Sequence, residues 1–158
     1  MVLQIEQDGT ASSLLHQLAG ARGILTIVQL LAAAYLSITF IQSSLDKIFN
    51  YKGNLDWLKG QFSKTFLAGT VPLLLPLLTI TEFAAGLFCG LGGIFVLLGA
   101  KNDLLVLGFL VSGIAMLMLL FGQRVSKEYA GAASLTGYFM IALLGLLAVF
   151  AASLQIVQ

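Results

Sequence analysis

From Val71 to Ile94 the chain reads VPLLLPLLTITEFAAGLFCGLGGI, an apolar run long enough to cross a bilayer and broken by a single acid, Glu82. At about 1.5 Å of rise per helical residue, Glu82 lies roughly 15 Å in, near the middle of a hydrocarbon core about 30 Å thick. A carboxylate at that depth is costly unless it is protonated, paired or wetted, so it is a functional-site candidate by default. Any account of this chain has to say what Glu82 meets.

Three further apolar runs accompany this one, giving expected spans at about 23–44, 72–98, 104–121 and 134–153. Only 9% of the 158 residues are charged and 59% are hydrophobic, whereas a soluble domain has about a quarter of its residues charged. So few charges cannot solvate a globular surface, but they suffice for the loops of a membrane bundle. The expected fold is an all-α, four-helix transmembrane domain over 23–153, preceded by a polar tail over 1–22. The lipid bilayer is its first partner, and no basic stripe suits nucleic acid.

The N-terminus lacks the basic, apolar and small-residue regions of a secretory signal, and Met-Val does not fit myristoylation. A short helix is expected at Ser13 to Gly20, where His16 stands alone as a solvated side chain, since a metal site wants three or four donors. Cys89, the one cysteine, excludes an internal disulfide. It reads as a small packing residue. The longest connection, 45–70, places Leu55, Leu58, Phe62 and Phe66 at helical spacing among Lys52, Lys59 and Lys64, with Tyr51 and Trp57 suited to a membrane interface. A short amphipathic helix on the headgroups is expected over about 54–67, serving either as an anchor or as a lid.

Small residues mark the expected contacts between helices. Glu82, Gly86, Cys89 and Gly93 follow one another at offsets of four, three and four on one face, with Gly90 completing a GxxxG. Gly108 lies on the third span, and Gly137 and Gly145 on the fourth. Basic residues set the expected orientation. Arg22 and Lys101 lie on one side, and Lys47, Lys52, Lys59, Lys64, Arg124 and Lys127 on the other. The first and third loops are then cytoplasmic and both termini outside.

Counting from one membrane face in an up-and-down bundle puts Tyr35, Ser37, Thr39, Ser112 and Tyr138 in the same half of the membrane as Glu82. Gln42 adds a further polar group, and Lys47 could snorkel along the same face. Together they form a candidate intramembrane polar pocket. No basic residue lies at Glu82's own depth. Its carboxyl is therefore either neutral and bonded to a tyrosine or serine, or ionised in a pocket that is wet or reached by Lys47. Both states remain open at this point.

Two segments resemble the DoxX family of small bacterial and archaeal membrane proteins, named for a thiosulfate:quinone oxidoreductase subunit. They are SSLDKIF, Ser43 to Phe49, and LTITEFAAGLFCGLGGI, Leu78 to Ile94. Glu82 followed by Gly86, and Lys47 at the end of the first span, carry the likeness most sharply. The extended FNYKGNLDWLKGQFSKTF segment looks like the Bacteroidetes-type version. The chain departs from the family where Gln29 replaces an early arginine and where Ser43 and Ser44 replace histidine and glycine before the lysine.

The resemblance implies a multi-pass protein of the prokaryotic plasma membrane, an accessory or structural subunit of a quinone-linked redox or respiratory assembly. No catalytic residue stands out. There is no haem-ligand histidine in a span, no cysteine pair and no nucleotide loop, so redox cofactors would belong to a partner. Quinone or a bound lipid is the ligand that this implies. Self-association is the alternative to other membrane subunits, and a proton-linked transporter using Glu82 is the alternative function.

Overall fold

A computed structural model describes residues 20–154. The expected tail helix and His16 lie outside the described residues. Five helices follow: α1 (Ala21–Phe49), α2 (Tyr51–Phe62), α3 (Val71–Leu97), α4 (Asp103–Val125) and α5 (Tyr129–Leu154). All but α2 are long and apolar enough to cross a membrane. The protein is an all-α, multi-pass membrane protein with a short interfacial helix between its first two spans.

The four long helices form a ring, in which α1 packs on α3, α3 on α4, α4 on α5, and α5 back on α1. Each neighbour runs antiparallel to the next. Leu36 and Phe40 of α1 and Leu105 and Phe109 of α4 are fully buried and fill the middle. In lipid the tails are as apolar as leucine, so van der Waals fit has to hold such a ring together.

That fit depends on glycine at a few points. A Cβ on Gly92 would stand 2.7 Å from the Leu105 backbone, and one on Gly108 2.7 Å from the Cys89 nitrogen. One on Gly145 would enter the Phe109 ring at 2.5 Å. Gly137 differs from what its sequence position implies: it is exposed, with nothing within 4 Å of where a Cβ would lie. It faces away from the bundle and takes no part in packing.

Helix α3 has two small-residue faces where its spacing suggests one. Gly86, Gly90 and Gly93 meet Ile41, Ser37 and Ala33 of α1, whereas Cys89 and Gly92 meet Gly108 and Leu105 of α4. A helix held between two neighbours needs two small faces, and a count of threes and fours does not separate them.

These contacts put Phe49 level with Leu78, so α1 stops about two turns, roughly 10 Å, short of the end of α3. Helix α2 occupies the missing height. The corner is made at Asn50 (φ −113°, ψ 42°), whose side chain fills the place of a Cβ on Gly53. Helix α2 ends at Phe62, short of the expected 67. There Ser63, Thr65 and Thr70 donate their hydroxyls to the carbonyls of Gly60, Phe62 and Leu67, turning the chain through a series of tight turns. Phe66, expected on the helix, instead sits edge-on to Phe121 of α4.

Candidate functional site

Glu82 is fully buried on α3, and its Oε2 lies 2.8 Å from the Nζ of Lys47. The four-carbon stem carries the ammonium from the last turns of α1 down to the acid, leaving Lys47 15% exposed. Ser43, one turn back on the same face, sits between the two. Its hydroxyl donates to Glu82 Oε2 at 3.3 Å, and Lys47 Nζ donates to that hydroxyl at 2.7 Å. Lys47 also reaches the Ser43 carbonyl at 3.3 Å. Lys47 thus reaches the acid, through its own ammonium and through the Ser43 hydroxyl.

The geometry follows from close approach. Gly86, one turn beyond Glu82, lets α3 come against the backbone of Ile41: a Cβ there would stand 2.9 Å from the Ile41 nitrogen. Ser37 donates to the Gly86 carbonyl at 2.9 Å, adding a second polar link to the same seam. Taking one charge from a buried pair costs about 3–5 kcal/mol, because the other is left unpaired. Glu82 Oε1 has no hydrogen-bond partner among the described residues. The carboxylate is thus held by one oxygen.

The other expected pocket members lie elsewhere. Tyr35 is 44% exposed, and its ring packs on Tyr138 at 5.9 Å, on the α1–α5 side. Thr39 donates to the carbonyl of Tyr35 in its own helix, and Gln42 is exposed. Ser112 is buried on the α3–α4 seam, donating to Gly108 and lying 3.5 Å from the Cys89 sulfur. None of these five makes a hydrogen bond to Glu82 among the described residues. Shared depth does not bring them together, because around a ring only residues facing the same seam can meet.

One residue belongs in the site without having been placed there by sequence, and one buried polar group ties the bundle far from it. Ser43 was legible as the residue one turn before Lys47 on its face. Gln29, buried on the α1–α5 side, donates to the Ala148 carbonyl at 3.1 Å and so ties α1 to α5.

On the side of Lys47 away from Glu82 lies a cavity of about 410 Å³ between α2 and the ends of α3 and α4. Leu58, Phe62, Leu74, Leu75, Met118 and Leu119 give it apolar walls, and Gln61, Gln123 and Ser126 give it one polar end. Helix α2 is therefore the roof of a cavity. Comparison with protein-family models, curated proteins and solved structures finds no match to this chain.

Proposed function

We propose that this membrane protein is a DoxX-like accessory subunit of a redox or respiratory assembly in a prokaryotic plasma membrane, with its first and third connections on the cytoplasmic side. One observation supports the reading above the others. The two segments that carry the resemblance meet in space through the Lys47–Glu82 pair and the Ser43 hydroxyl on the same carboxylate oxygen. In this reading the pair is a strut that sets the α1–α3 register, and quinone chemistry belongs to the partner subunits.

Gentle detergent extraction from native membranes, followed by mass spectrometry, tests this. Oxidoreductase or cytochrome subunits in fixed ratio are expected, and Glu82→Gln, which removes the charge but keeps an acceptor for Lys47 and Ser43, should lower the yield of folded protein without changing that ratio. Recovery of the protein alone would count against it.

A second reading, a small proton-linked transporter, is favoured by the unpartnered Oε1 of Glu82 and by Lys47 reaching both the acid and the cavity. It requires proton-coupled flux in liposomes that Glu82→Gln abolishes. Flux that is absent, or unchanged by the substitution, removes it.

A further inference from the structure

The apolar cavity under α2 is backed by a second recess of about 580 Å³, lined by Lys64, Thr65, Phe66, Val125 and Lys127 among others. The two share Gln61 and Ser126, which are joined by a 3.2 Å hydrogen bond from Gln61 Nε2 to Ser126 Oγ. Charge is sorted across that junction. Lys64 and Lys127 face the second recess, no acid lines it, and neither lysine is in an ion pair among the described residues. Glu128 lies on the apolar side, where Lys47 is already engaged by Glu82 and Ser43.

Two buried acceptors, Gln61 Oε1 and Gln123 Oε1, have no partner among the described residues, and both side chains line the cavity at its polar end. The composite site is thus an apolar chamber, a neck offering acceptors, and a basic recess beyond. Matching chemistry is an apolar chain, hydroxyl donors near its end, and an anion.

We propose that this composite site binds an acidic, hydroxyl-bearing phospholipid, with one acyl chain under α2 and its phosphate between Lys64 and Lys127. Beyond the phosphate the headgroup folds back on the neck, where its hydroxyls donate to the Gln61 and Gln123 carbonyl oxygens. Phe62, which is buried and lies against Gly122, closes one side of the chamber.

Trp57, the only tryptophan, lines the cavity and reports on it. The full chain is reconstituted in phosphatidylcholine vesicles, and chain-brominated phosphatidylglycerol or chain-brominated phosphatidylcholine is titrated in while Trp57 fluorescence is followed. The glycerol lipid should quench at about thirty-fold lower mole fraction at low salt, as two lysines at about 1 kcal/mol each imply. Lys64→Gln with Lys127→Gln should erase that preference. Leu74→Phe, which narrows the chamber and keeps both lysines, should reduce it.

Equal quenching by the two lipids in the wild-type protein would overturn the proposal. So would a preference that survives the lysine substitutions, or one left unchanged by Leu74→Phe and so reflecting surface attraction alone. A brominated fatty acid that quenches in the lysine-dependent manner while phosphatidylglycerol does not would overturn the phospholipid assignment.

Discussion

Helix α3 is gripped on two sides, and the two seams work differently. Towards α1 it presents Glu82, Gly86, Gly90 and Gly93, and the seam is tied by an ion pair and a serine hydroxyl. Towards α4 it presents Cys89 and Gly92 against Gly108 and Leu105, and the seam is backbone against backbone. The first is specified by a bond between two residues. The second is specified by the absence of side-chain atoms, so it has no single partner to lose but no room to give.

The largest effect should come from the tied seam. Lys47→Met strands the Glu82 carboxylate and should destabilise the bundle by about 3–5 kcal/mol. Equilibrium unfolding in mixed micelles measures this, and adding Glu82→Leu should recover most of the loss. If the double variant is as unstable as the single one, the pair contributes more than mutual neutralisation.

Next come Gly108→Ala and Gly92→Ala in the close seam. Each new methyl group meets a neighbouring backbone at 2.7 Å, so each should cost about 1–3 kcal/mol by the same assay. Gly90→Ala sharpens the contrast, because its Cβ would meet only the Ser37 hydroxyl, at 2.7 Å. The hydroxyl has to turn away from the Gly86 carbonyl, a loss of about 1 kcal/mol. Ser37→Ala in the same chain should make Gly90→Ala nearly neutral. The smallest change is expected at Gly137, which faces open space. Alanine there should be neutral or stabilise by up to about 1 kcal/mol, through helix propensity alone. Equal penalties at Gly137 and Gly108 would show that glycine acts here through something other than contact.

Spans, helix class and the presence of an interfacial helix were legible because each rests on local composition. Glu82 was legible for the same reason, as a charge where charge is rare. The candidate pocket was only partly so. Lys47 could be reached by knowing the length of its side chain, but Tyr35, Tyr138 and Ser112 share Glu82's depth while facing other seams. Azimuth around the bundle depends on which helices become neighbours, and α1 lies beside both α3 and α5. The one-face reading of Glu82, Gly86, Cys89 and Gly93 fails likewise, because a helical face about 100° wide can be divided between two neighbours. The cavity depends on α1 ending early at Phe49, a register between helices that no local pattern encodes.

The ion pair also bears on the order in which the chain enters a membrane. An acid at the centre of a span costs about 2.5–3.5 kcal/mol on insertion when it enters alone. Lys47 closes the first span and Glu82 lies in the second, so the cation is already at the bilayer when the acid arrives. Spans one and two can then partition as a neutralised hairpin, with α2 as the joint between them, before α4 and α5 are made. Moving the lysine to the third or fourth span at the same final distance would keep the folded contact and forfeit that early neutralisation.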